Sequence, residues 1–383
     1  MSIQQLDQQY IAPTYGRFPV ALVKGQGAQL FDENGKRYID MGSGIAVNTF
    51  GACDPVWTEA VTRQLHTLGH TSNLYYTQPQ TRLAEMLCQR TGMEKVFFSN
   101  SGAEANECAL KVARKWGEEH GGRHVIVTLK NSFHGRTIAT LAATGQDVFH
   151  KHFGPFPEGF RYVTPGNQEE LAEALAQPDV CAVFMELIQG EGGVEPLEAS
   201  FLKLAEKLCQ EHQLLLMLDE VQTGNGRTGK LFAYMHDGLQ PDVVTTAKGL
   251  AGGLPLGATL LGARVASVLG KGDHGSTFGG NPICAAGACS VLERLNEDLF
   301  REVREKSQAI VDALKDCPNV KRVSGRGFML GISTVHPAGD IAQRCLADGL
   351  LVLTAKDKVR LLPPLNISWE LLQEGIDILK KNV

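Results

Sequence analysis

Along the chain, short apolar runs alternate with stretches that repeat hydrophobic residues every three or four positions. The runs are Val96–Ser99, His124–Leu129, Arg161–Val163, Cys181–Leu187, Leu214–Asp219, Val243–Ala247 and Ala258–Gly262. They are continuous rather than alternating, which marks strands buried on both faces, as a parallel sheet covered by helices requires. Between them lie amphipathic stretches such as Glu104–Glu118, Gln168–Ala176 and Leu202–His212. The alternation predicts an α/β fold with a mostly parallel central sheet. After Asn281-Pro282 the texture changes to two long helical stretches, Ile283–Asn296 and Leu299–Leu314. Strands near Val320–Val323 and Gly327–Ile332, a helix near Ile341–Leu346, strands Leu350–Thr354 and Val359–Leu362 and a last helix Trp369–Lys381 complete a small α+β domain. Residues 1–60 read as short strand-like pieces broken by turns, with Asn34-Gly35 as a hairpin signal between Ala28–Phe31 and Arg37–Met41.

Composition narrows the class further. The 383 residues are 43% hydrophobic and 21% charged, which excludes disorder and small disulfide scaffolds. The length suits two domains, or one large α/β unit with an appendage. A net charge of −5 offers no basic field for nucleic acid or an anionic membrane. No apolar run reaches the ~20 residues of a membrane span, and residues 1–16 lack a basic and apolar leader. The nine cysteines are scattered and never spaced as C-x-x-C, so free thiols in a reducing cytoplasm are expected.

Candidate chemistry lies at strand ends, because open α/β sheets bind ligands beyond the carboxyl ends of their strands. The run Leu214–Leu218 ends in Asp219-Glu220, and the run Asp242–Ala247 ends in Lys248-Gly249. A lone lysine after a strand is ordinarily exposed. A carboxylate and a lysine ending neighbouring strands, each followed by glycine-rich loops, points to a site. Ser99-Asn100-Ser101-Gly102-Ala103-Glu104 closes a strand and opens a helix, so it can cap that helix and cradle a phosphate. Gly275-Ser276-Thr277-Phe278-Gly279-Gly280 offers further hydroxyls and amides to an anion.

Gly224-Asn225-Gly226-Arg227-Thr228-Gly229 matches G-x-G-x-x-G and raises an NAD-dependent dehydrogenase as a rival. It fits poorly, because no helix opens directly after it and Asp242 begins a strand that ends in lysine. The segment from Gly270 lacks the lysine spacing of a P-loop. His120 and His124 flank two glycines rather than sharing a rigid helix, so no metal site is expected. A phosphate cradle, a strand-end lysine and a strand-end carboxylate together suit pyridoxal phosphate, which needs a lysine for its Schiff base and an acid for its ring nitrogen.

Nearly the whole chain resembles the class III aminotransferases of the fold-type I pyridoxal phosphate enzymes. The resemblance is carried by Gly25-Gln26-Gly27, Gly44-Ile45-Ala46-Val47, Asn100–Asn106, Phe133-His134-Gly135-Arg136, Ile188–Val194, Leu218–Gln222, Gly226–Gly229, Ala247-Lys248 and His274–Pro282. It implies a large cofactor-binding domain (46–285) and a small α+β domain (286–383) joined by the N-terminal segment (1–45). Lys248 is implied as the Schiff-base lysine and Asp219 as the ring-nitrogen partner, with Glu220 and Val221 beside it. Gln222 would bond the ring hydroxyl and Phe133 would stack on the ring. Ser101, Gly102 and Ala103 would bind the phosphate, with Thr277 reaching the phosphate of the neighbouring subunit in a homodimer with shared sites. Arg136 would hold the substrate's α-carboxylate, with Ser276 close to the same ligand. Arg360 would take the α-carboxylate of 2-oxoglutarate, masked by Glu191 when the donor is bound. The implied donor is N-acetylornithine, with ornithine, succinylornithine or 4-aminobutyrate as alternatives. Ala103 departs from the family's usual threonine, Leu187 from a common proline, and Gly51–Pro55 lacks the usual histidines.

Overall fold

A computed structural model describes all 383 residues, Met1–Val383. The apolar runs become one seven-stranded sheet. Its strands are β1 (Lys95–Ser99), β2 (Val125–Leu129), β3 (Phe160–Val163), β4 (Val180–Glu186), β5 (Leu215–Asp219), β6 (Val243–Thr246) and β7 (Gly257–Leu261). Their spatial order is β1-β7-β6-β5-β4-β2-β3, parallel throughout except that β7 runs antiparallel to both its neighbours. The link from Thr246 to Gly257 is too short to carry a crossover helix, so β7 must return in the opposite direction.

Side chains alternate between two cores, as the strand period dictates. Leu215, Met217 and Phe184 face the Gly102–Glu119 helix through Cys108, Val112 and Trp116, whereas Leu216, Leu218 and Val183 face the Ala199–Glu211 helix through Phe201, Leu202 and Ala205. Ser101 caps the Gly102–Glu119 helix by accepting from the Glu104 N–H at 3.2 Å. The Glu104 carboxylate reaches back one residue beyond the expected partner, to the Asn100 N–H.

The second region draws on both chain ends. Leu22–Gln26, Gln29–Asp32 and Arg37–Asp40 form an antiparallel meander, and Leu350–Leu351 adds to it in parallel, Leu350 opposite Ile39. Beside it, Val320–Arg326, Met329–Thr334, Lys358–Leu361 and Leu353–Ala355 make an antiparallel sheet. Three departures from the pattern reading stand out. Helices occupy Ile3–Tyr10 and Pro55–Thr67, where strand-like pieces were expected, and Gln78–Thr91 is a further helix. The Ile3–Tyr10 helix buries no residue, and its signal is the Ser2 capping box; the Pro55–Thr67 helix half-buries one face, Trp57, Ala60, Val61 and Gln64, and is also signalled by the Asp54 cap. A domain limit between residues 285 and 286 would cut the continuous Pro282–Arg294 helix, which packs on the Pro55–Thr67 and Gln78–Thr91 helices. The natural joint is Leu295-Asn296, where that helix stops and Glu297–Lys315 begins.

The Gly224–Gly229 loop opens no helix. A Cβ on Gly226 would lie 2.8 Å from Leu365 and one on Gly229 2.6 Å from Arg304, so its glycines admit the C-terminal region rather than a dinucleotide. All nine cysteines are free, no side-chain cluster is arranged to hold a metal, and no helix is long and apolar enough to cross a membrane. Gly257 opens β7 against the cap of the Gly102–Glu119 helix, where a Cβ would stand 2.3 Å from the Ser101 carbonyl oxygen and 2.6 Å from Ser99 Oγ. Gly257→Ala is expected to cost about 1–3 kcal/mol, read as a lower urea midpoint at unchanged slope.

Candidate active site

The carboxyl ends of β4, β5 and β6 and the start of the Gly102–Glu119 helix surround a cavity of about 440 Å³. Glu186, Asp219 and Lys248 enter it from the three strands, and Asn100–Ala103 close it on the helix side. The first N–H groups of that helix have no acceptor within it, which gives the cavity an anion-binding wall. Glycine at position 102 is required by packing, since a Cβ there would lie 2.7 Å from Val221.

Asp219 is 4% exposed, and both oxygens of its carboxylate accept hydrogen bonds, with one lone pair of Oδ1 left over. Oδ1 accepts the Val221 N–H at 3.0 Å, while Oδ2 accepts Asn106 Nδ2 at 2.8 Å and His134 Nδ1 at 2.8 Å. A carboxylate acceptor requires the proton on His134 Nδ1. The imidazole is buried and stacked on Phe184, with ring centroids 4.3 Å apart.

Lys248 leaves β6 one strand over, in register with Asp219 opposite Thr245. Its φ of +43° is left-handed, a conformation that costs a non-glycine residue free energy and that tertiary structure must enforce. The ε-amine makes no hydrogen bond to the protein. Burial drives its pKa down from the ordinary lysine value; Arg360 adds to the depression and Glu191, Asp219 and Glu186 oppose it, leaving it at about 8.

Glu186 ends β4 as Asp219 ends β5, and the two are paired in register. Its Oε1 accepts the Phe133 N–H at 2.8 Å and its Oε2 the Gly190 N–H at 3.0 Å. Burial pushes its pKa upward, with Asp219 adding and His134 opposing. From the C-terminal region, Arg360 donates through Nη1 to Glu191 Oε1 at 2.5 Å and to Gln222 Oε1 at 3.3 Å. Burial would raise the Glu191 carboxyl, yet Arg360, with Lys248 and Gln222, outweighs it and holds the group below the ordinary glutamate value. Arg136 also lines the cavity, its guanidinium carbon over the rings of Phe133 and Phe149.

Of the residues singled out in the sequence, the cavity brings together Ser101, Gly102, Ala103, Phe133, Arg136, Glu191, Asp219, Val221, Gln222 and Lys248, with Arg360 behind Glu191. It does not include Glu220, whose carboxylate is fully buried and accepts from Thr223 Oγ1 and the Tyr234 N–H; consecutive residues leave a strand on opposite sides. Ser276 stands at the rim, its hydroxyl accepting from Asn100 Nδ2 at 3.2 Å. Thr277 is exposed and outside the cavity. Sequence reasoning gave no role to Asn106, His134 or Glu186. The rule that found Asp219, a carboxylate ending an apolar run, applies equally to Glu186.

The sequence model of the family "Aminotransferase class-III" matches residues 10–383. The chain is 51% identical over 381 residues to the acetylornithine aminotransferase of Haemophilus ducreyi, covering 98% of this chain and 97% of that protein. It is 44% identical over 382 residues to the succinylornithine transaminase of Salmonella paratyphi A, covering 96% and 93%. The solved ornithine aminotransferase of Toxoplasma gondii, described with partial occupancy of PLP at its active site, superposes with a TM-score of 0.95 at 33% identity, over 99% of this chain and 93% of that one.

The depressed amine gives a direct test. In cofactor-free protein, reductive methylation of Lys248 followed by mass spectrometry is expected to reach half its limiting rate near pH 8. A midpoint close to the 10.5 of an ordinary lysine would show that the amine does not feel the burial described.

Proposed function

This chain belongs to the class-III aminotransferases, and we propose that it moves the δ-amino group of N-acetylornithine to 2-oxoglutarate in arginine biosynthesis. The products are N-acetylglutamate 5-semialdehyde and glutamate. One observation carries the reading: an unpartnered lysine amine and a carboxylate held by three hydrogen bonds end adjacent strands, opposite a helix start built to hold an anion. Members of the family work with pyridoxal phosphate, and the residues present fit it. The free amine matches its aldehyde, Asp219 its ring nitrogen, and the Ser101-Gly102-Ala103 amides its phosphate, with the Ala103 backbone N–H serving where relatives add a hydroxyl. When bound, the cofactor supplies an electron-withdrawing ring that stabilises negative charge on the carbon bearing the amine.

The chain's own residues then divide the work. Arg136 orients the donor by its α-carboxylate, so that the distal δ-carbon faces Lys248. With its basicity suppressed, the Lys248 amine takes a proton from that δ-carbon, and later delivers one to the α-carbon of the forming glutamate. Glu191 neutralises Arg360 while the donor is present, which keeps an α-carboxylate away from that side. Swinging aside, it releases a two-pronged donor for the α-carboxylate of 2-oxoglutarate. Both substrates use one pocket in turn, so kinetics are ping-pong.

The assembly we propose is a cytoplasmic homodimer. Leu74, Tyr75 and Tyr76 are 86%, 68% and 100% exposed, and Phe278 beside Thr277 is 60% exposed. Such a surface is unusual for a monomer and lies on the loops from which Thr277 would serve the partner's phosphate. The succinylornithine transaminase relative makes a longer acyl group on the donor the second reading.

Lys248→Ala is expected to lower turnover by about a thousandfold with the circular dichroism spectrum unchanged; normal turnover would sink the assignment. Half-reaction rates with N-acetylornithine, N-succinylornithine, ornithine and 4-aminobutyrate are expected to rank the acetylated donor first, and any other leader reassigns the donor. Sedimentation equilibrium at micromolar protein is expected to give the dimer mass.

A further inference from the structure

Two arginines reach the pocket, and they are held in opposite ways. Arg360 is ion-paired with Glu191. Arg136 makes no hydrogen bond or ion pair to the protein and is held by aromatic faces: its Cζ lies 4.1 Å from the Phe149 ring centroid and 5.3 Å from that of Phe133. The two rings meet edge to face, with centroids 6.0 Å apart and planes at 79°. Neither ring takes the place of a carboxylate or carbonyl acceptor, so the N–H groups of Arg136 have no protein partner and stay available.

Phe133 lines the cavity and is committed there by the Glu186 bond to its N–H. Phe149 lies outside the cavity lining. It sits on a single helical turn, Asp147–His150, pinned at both ends: Gln146 Nε2 donates to the Ser132 carbonyl at 3.0 Å, and His150 Nε2 bonds the Leu141 carbonyl at 2.9 Å. The turn therefore fixes a ring whose contacts with the site run through Arg136 and Phe133.

We propose that Phe149 is a positioning residue for substrate: its ring holds the Arg136 guanidinium in place and leaves the whole N–H fork to the α-carboxylate of the amine donor. A cation paired with a protein carboxylate must give up that partner to bind substrate, whereas one held on a ring face is already organised for it. This inference rests on the reading of Arg136 as the α-carboxylate residue.

The test compares ligands that differ by one group. N-acetylputrescine is N-acetylornithine without the α-carboxylate, and N-acetylnorvaline is N-acetylornithine without the δ-amine. In Phe149→Leu and Phe149→Met holoenzymes, KM for N-acetylornithine is expected to rise about fourfold, as loss of a cation–π contact at an exposed guanidinium implies, with kcat within about twofold. The calorimetric Kd of N-acetylnorvaline should rise by the same factor, kcat/KM for N-acetylputrescine should stay unchanged, and Phe149→Tyr should match the wild type on all three. Equal losses on both donors, no loss in either non-aromatic variant, or failure of the tyrosine to match would overturn the proposal. Should the wild type not turn over N-acetylornithine, the proposed function fails, while N-acetylnorvaline binding still decides the role of Phe149.

Discussion

A carboxylate taken out of water has to be given hydrogen bonds in return, and Asp219 is the carboxylate around which this site is arranged. Its three donors come from three segments: Asn106 from the Gly102–Glu119 helix, His134 from the loop after β2, and the Val221 N–H from the turn after β5 itself. Satisfying one side chain therefore fixes where a helix starts, where an aromatic loop lies and how the strand exit bends. Asn106 tightens the arrangement by also donating to the His134 carbonyl at 2.7 Å, so the donors hold one another.

Glu186 repeats the device on the neighbouring strand with backbone donors. One carboxylate suspends both the loop carrying Phe133 and Arg136 and the loop carrying Glu191. The second loop is then tied to the C-terminal region at two points along one strand face. Arg360 meets Glu191, and Lys358, two residues earlier, meets Glu195 and donates to Ser324 Oγ at 2.9 Å. Ser324 in turn donates to the Val194 carbonyl at 2.8 Å. The base of this loop is thus anchored independently of the Arg360–Glu191 contact.

How much of this was legible in the sequence follows from where burial writes a pattern. The five inner strands of the main sheet stood out because both faces are covered, whereas the edge strands β1 and β3 are half-buried, carry Lys95 and Arg161, and were read from shorter apolar runs. The Ile3–Tyr10 helix did not, because it buries nothing and follows local capping alone, and the Pro55–Thr67 helix did not, because its packed face is only half-buried. Lys248 and Asp219 were readable as charges ending apolar runs. Arg360 and Glu191 needed family resemblance, since 169 residues separate them in the chain. Phe149 was invisible for a different reason: a phenylalanine on a short surface turn looks like any partly buried residue until the cation above it is seen. Glu220 shows the converse error, in which adjacency in sequence suggested a shared site although the strand period sends neighbours apart.

The pairing of Leu350 with Ile39 sets an order of events at the ribosome. The Arg37–Asp40 edge emerges early and stays open until almost the whole chain has been translated, a template for unwanted strand pairing in the meantime. The main sheet, Asp219 and Lys248 are complete long before Arg360 leaves the exit tunnel. The strand-end carboxylate and lysine are therefore made while Arg360, the cation that pairs with Glu191, is still to come. The last helix, Trp369–Asn382, is made after all of them.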